Sequence, residues 1–134
     1  MRLTVLAFAA AALPGAAAAQ ECDRADESQT GTNICAATDY RAADAELNQT
    51  YDKIVQRLGA DETSKKRLKE AQRAWIAFRD AECDFATSGS RDGSIYPMIQ
   101  AQCLEGLTSA RSEQLSGYLD CEEGDMSCPV PADR

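Results

Sequence analysis

From Ile34 onward the apolar residues recur at steps of three and four. Tyr40, Ala43, Leu47, Tyr51, Ile54 and Leu58 form one such stripe, the pattern of a helix with a single buried face. Gly59 suits the end of that helix because it tolerates a left-handed cap. Asp61 or Thr63 can cap the next helix, whose stripe runs Leu68, Ala71, Trp75, Phe78 and Phe85. "SGSRDGS" (88–94), with two glycines and three serines, breaks the periodicity. A third helix is expected over about 95–119, with Ile99, Cys103, Leu107, Ala110, Gln114 and Tyr118 along one side. Pro97 fits its first turn, where a missing N–H costs little. No segment alternates with a strand's period and no repeat stands out. The expected fold is all-α, an antiparallel three-helix bundle.

The ends differ from this middle. Residues 1–19 read as a cleavable signal peptide. Arg2 gives a basic start, Leu3 to Leu13 an apolar run, Pro14-Gly15 a break, and Ala17-Ala18-Ala19 a small-residue cleavage pattern. The run is too short to span a bilayer of about 30 Å. Residues 20–33 ("QECDRADESQTGTN") are polar and turn-rich, an irregular segment ahead of the helical domain at 34–119. Residues 120–134 form an acidic tail with two cysteines and two prolines. Gln20-Glu21 precede Cys22, which is not the context of a lipid-anchoring cysteine. No membrane anchor is therefore expected once the leader is removed.

Charge and cysteine narrow the function classes. The chain carries 22 acidic against 14 basic residues, a net charge of −8, and loses one more positive charge with Arg2. Such a surface repels nucleic acid and anionic lipid and attracts cationic partners. There is no histidine, so the usual general base and the commonest metal ligand are both missing. Neither a nucleophile–base pair nor a placed carboxylate pair appears, and a non-enzyme without cofactor or metal is expected. Six cysteines in an exported chain of this size point to disulfides, and no CxxC pair supports zinc. Of the fifteen possible pairings, the sequential set Cys22–Cys35, Cys83–Cys103 and Cys121–Cys128 is expected, because each closes a short local loop.

"AQRAWIAFRDAEC" (71–83) is the most distinctive stretch. At roughly 100° per residue, Gln72, Arg79 and Cys83 share one narrow arc of the helix. If Cys83 bonds Cys103, Arg79 points between helices as well and must be paired there. Asp44 and Asn48, at the edge of the first stripe, are the expected partners. Gln72 and Arg111 are expected to join them in a polar clasp that fixes helix register. Asp80 is expected to face solvent, and Trp75, Tyr40 and Tyr51 to lie in the core.

These residues resemble a known pattern. "CAATDYRAADAELNQTY" (35–51) carries D-x-x-L-N-x-x-Y at Asp44, Leu47, Asn48 and Tyr51. The second block carries AQ-x-x-W-x-x-(Y/F)-R-D-x-x-C, and "CLEGLTSAR" (103–111) carries C-x(4)-T-x-x-R at Cys103, Thr108 and Arg111. Together they resemble the LprI-like lysozyme-inhibitor domain family, over roughly residues 22–119. The resemblance implies a small exported bacterial helical domain, and its family name rests on a lipoprotein that inhibits lysozyme. This chain departs in lacking the lipid-attachment cysteine, and its 121–128 cysteine pair lies outside the shared blocks. The shared residues are those expected inside, so they speak for fold more than for activity.

The functional expectation is a periplasmic or secreted binding protein that inhibits a cationic lysozyme, or binds another basic protein. The 88–94 loop (Ser90, Arg91, Asp92) is the candidate plug, with Arg91 meeting the enzyme's catalytic acids. Glu122, Glu123 and Asp125 in the tail would grip a basic rim. The alternative is an envelope or stress-related binding or structural protein with another partner.

Overall fold

The computed structural model describes residues 20–132. The expected leader, 1–19, and the last two residues of the tail lie outside the described residues. Three helices account for the fold: α1 (Gln29–Leu58), α2 (Glu62–Ala86) and α3 (Tyr96–Gly117), with no strand among the described residues. A single 3₁₀ turn, Ser88–Ser90, follows α2.

The local signals act as their chemistry requires. Gly59 ends α1 at φ 57°, with its N–H donated to the Gln56 carbonyl. Asp61 caps α2 by accepting from the Ser64 N–H at 3.0 Å. Pro97 sits in the first turn of α3. One boundary differs: α1 starts at Gln29, so residues 29–33 are helical and not irregular. Ser28 caps this early start by accepting from the Gly31 N–H at 3.0 Å. Polar residues in the first turn leave no apolar stripe to read, which is why periodicity places the start at Ile34.

Short links make consecutive helices antiparallel, so α1 and α3 run parallel. Asn33 Nδ2 donates to the Ser94 carbonyl, the Thr50 and Ser112 hydroxyls lie 3.5 Å apart, and Arg57 Nη1 donates to the Leu119 carbonyl. This pair makes the longest contact in the molecule. Leu47, Ile54, Leu58, Leu115 and the tail's Val130 form the core cluster, with Tyr51, Leu68, Trp75 and Tyr118 packed against it.

Two expected faces are corrected. The buried seam of α3 is Ala101, Thr108, Ser112 and Leu115, and Ala110 and Gln114 of the expected stripe are exposed. Small side chains let α3 approach α1 closely. Cys103, Leu107 and Tyr118 are only half-buried. On α2, Phe78 and Phe85 are 55 % and 77 % exposed, not core. The stripe from Leu68 to Phe85 drifts by about 100° around the helix. Leu68 and Trp75 are therefore half-buried, while Ala71 is exposed along with Phe78 and Phe85 at the far end.

All three expected disulfides are present: Cys22–Cys35, Cys83–Cys103 and Cys121–Cys128, with Cα–Cα separations of 4.6, 5.7 and 5.9 Å. The first is reinforced by an Arg24–Asp39 ion pair that holds the N-terminal segment on α1.

Candidate functional site

The distinctive block on α2 meets α3 in antiparallel register at three points. Arg111 Nε donates to Gln72 Oε1 at 3.1 Å, Arg79 Nη1 donates to the Thr108 hydroxyl at 3.4 Å, and Cys83 bonds Cys103. Arg79 is buried (7 % exposed), and its Nη1 lies 3.7 Å from Asp44 Oδ1 on α1. Asn48 Nδ2 in turn donates to Asp44 Oδ2 at 3.1 Å. The structure thus brings Asp44, Asn48 and Arg79 together in one group and Gln72 with Arg111 in a second.

Trp75 joins the groups. The Arg79 guanidinium lies 5.2 Å from its ring centroid and that of Arg111 lies 5.9 Å, while Arg79 also stands 5.6 Å from Tyr40. Such contacts favour a cation that has left most of its water behind. Burial pushes the Tyr40 hydroxyl above its ordinary value, so it stays neutral beside Arg79. Asp80 faces solvent as expected, and it also takes a partner that was not expected: its Oδ1 accepts from both Nε and Nη2 of Arg79, at 2.9 and 2.8 Å. Its carboxylate is 57 % exposed yet is the closest acid to Arg79. The guanidinium turns back along its own helix, a geometry that wheel arithmetic on Cα positions does not capture.

The loop residues proposed as a plug are held from within. Arg91 is ion-paired to Asp84 and lies 5.7 Å over the Tyr96 ring. Ser90 Oγ donates to the Thr87 carbonyl at 3.0 Å, and Asp92 is exposed. Thr87, 3 % exposed, anchors the loop by donating to the Cys83 carbonyl. In the tail Glu122 and Glu123 are exposed, and Asp125 is engaged by the Ser127 N–H and hydroxyl at 2.8 and 2.6 Å. Those bonds hold the Asp125 carboxyl below its ordinary value.

The sequence missed a second surface. At roughly 100° per residue, Ala74, Phe78, Ala81 and Phe85 share the side of α2 opposite the Gln72–Arg79–Cys83 seam. All four are exposed, and Glu82 and Asp84 flank them. Phe78 and Phe85 are the large apolar members of this face. A check of where the stripe drifts relative to Cys83 would have found it.

This is a small disulfide-stapled helical domain with an internal polar clasp and no helix long and apolar enough to cross a membrane among the described residues. The family described as lysozyme inhibitor LprI matches residues 20–115, and the chain belongs to it. That family is defined by inhibition, not by catalysis. The uncharacterized protein R02472 of Rhizobium meliloti (strain 1021) is 41% identical over 107 residues, covering 72% of this chain and 77% of that protein. The uncharacterized protein YecT of Escherichia coli (strain K12) is 28% identical over 113 residues, covering 72% of this chain and 70% of that one. No solved structure matches.

Proposed function

We propose that the chain is an exported protein, periplasmic or secreted, that binds and inhibits a cationic lysozyme by covering its substrate cleft. The observation that carries this reading is the aromatic face of α2. Phe78 belongs to the family's shared block, where Gln72, Trp75, Arg79, Asp80 and Cys83 have partners inside the fold. Phe78 instead lies 55 % exposed, with Phe85 at 77 % one side of it and acids on both flanks. Exposed aromatics ringed by charge are typical anchors of a protein interface. The net charge of −8 would steer a cationic enzyme toward it.

The 88–94 loop adjoins the end of this face. In this reading Arg91 reaches the enzyme's carboxylates by exchanging Asp84 for them, and Ser90 and Asp92 contact the cleft rim. Glu122, Glu123 and Asp125 supply further acid for a basic partner. The leader-like first 19 residues and the three disulfides support an oxidising compartment. The test is a lysis assay with several lysozyme types and a clear molar excess of purified protein. Inhibition of at least one type is expected, and undiminished lysis by all of them would overturn the proposal.

A further inference from the structure

A cleft of about 370 Å³ opens between the end of α1, the first half of α2 and the tail. That size falls within the usual range of small-ligand sites, about 300–1,000 Å³. Its apolar wall is Ile54, Leu58, Leu68 and Val130, and its polar rim includes Arg67, Arg111 and Tyr118. Val130 is only 4 % exposed and is brought there by the Cys121–Cys128 loop. Of this wall, Val130 alone comes from beyond the family-matched residues 20–115.

The electrostatics of the rim are unbalanced. Arg111 is half-buried, and its hydrogen bonds go to neutral amides: Gln72 Oε1 at 3.1 Å and Gln114 Oε1 at 2.5 Å. Among the described residues no carboxylate pairs with Arg111 or Arg67. In a chain with 22 acidic residues, Arg111 without a carboxylate partner beside an apolar cleft stands out, while Arg67 at the mouth has only Asp61 within electrostatic reach and no ion pair with it. Partial burial pushes Arg111 below its ordinary value, the mark of a cation short of both water and counter-charge.

We propose that this cleft binds a small aliphatic carboxylate. Its chain lies against Ile54, Leu58, Leu68 and Val130, and its carboxylate is received by Arg111, with Arg67 at the mouth. A guanidinium suits such a head group because it presents paired N–H donors to the two oxygens. The site is separate from the α2 aromatic face, so it stands or falls independently of lysozyme inhibition.

The test titrates the purified, disulfide-bonded protein with sodium decanoate below its micelle concentration. Calorimetry and the fluorescence of Trp75, the single tryptophan and a neighbour of Arg111, report binding. Saturable one-to-one binding is expected, with decanol and acetate each weaker by about tenfold or more. Arg111→Gln is expected to weaken decanoate about tenfold. Arg67→Gln, at an exposed position where folding is not at stake, is expected to weaken it measurably. Absence of saturable binding, equal affinity for decanol, or unchanged affinity in Arg67→Gln together with a folded Arg111→Gln would overturn the proposal.

Discussion

Arg79 donates twice to one oxygen of Asp80, its neighbour in the chain, and stands farther, at 3.7 Å, from Asp44 on α1. The local contact orients the guanidinium, while the distant one and Thr108 tie α2 to both other helices. Removing Arg79 deletes the packing against Trp75 and Tyr40 together with these bonds. Arg79→Ala is therefore expected to cost about 3 kcal/mol in urea unfolding. Asp80→Asn is expected to cost more than Asp44→Asn, and both to stay below about 1 kcal/mol because each acid is half-exposed. The reverse order would mean that the interhelix contact, not the local one, holds Arg79.

Much of this clasp was legible from spacing. Gln72, Arg79 and Cys83 share an arc that only an inward seam explains, and the Cys83–Cys103 pairing fixes which helix they meet. Asp80 is exposed as expected, but its ion pair with Arg79 was not legible, because a long arginine can reach back along its own helix, which Cα angles do not encode. The faces of α3 were misplaced because Ala101, Thr108 and Ser112 look neutral or polar in sequence. Their burial follows from close helix approach, a tertiary property. Phe78 and Phe85 were misplaced because hydrophobicity marks an interface and a core alike.

Two glycines inside helices should respond oppositely to alanine. A Cβ on Gly31 would fall within 2.5 Å of the Asp26 carbonyl oxygen and of its carboxylate Oδ2. A Cβ on Gly106 would meet nothing within 4 Å. Alanine gains about 1 kcal/mol of helix propensity over glycine. Gly106→Ala should therefore raise the melting temperature. In Gly31→Ala the gain is outweighed, because backbone must move, and the melting temperature should fall. Equal shifts in the two variants would contradict the close approach at Gly31.

Acid should loosen the helix starts. Asp61 is held below its ordinary 3.8 by the Ser64 backbone N–H, Asp39 by Arg24, and Asp26 by Ser28. A carboxyl depressed in the folded state stabilises fully above its unfolded value, and that stability is lost as pH falls through the folded value. The melting temperature should decline from about pH 5 to about pH 2. Asp61→Asn keeps the cap oxygen but does not titrate, so its decline should be shallower. A parallel decline would remove Asp61 from the account.

The disulfides should rank by the loops they close. With separations of 20, 13 and 7 residues, chain-entropy arguments give about 3.3, 2.9 and 2.4 kcal/mol. Paired serine substitutions at Cys83 and Cys103 should thus destabilise most. Loss of Cys121–Cys128 should additionally free Val130 from the core, visible as faster amide exchange near Leu58 and Leu115. Peptide mapping without reduction should recover the three local pairs, and a Cys22–Cys128 link would contradict them.

The aromatic face of α2 makes the sharpest separation between stability and function. Because Phe78 and Phe85 are 55 % and 77 % exposed, replacing both with serine removes little packing from the fold. Stability should change by less than about 1 kcal/mol, as for other exposed positions. If this face receives a lysozyme, two aromatic anchors are worth at least about 2 kcal/mol each at an interface centre. The double variant should then lose inhibition by more than a hundredfold while melting as the parent does. Retained inhibition would move the contact surface to the 88–94 loop or the acidic tail. A collapsed melting temperature would instead show that these rings support the fold, and that the face is not free to bind.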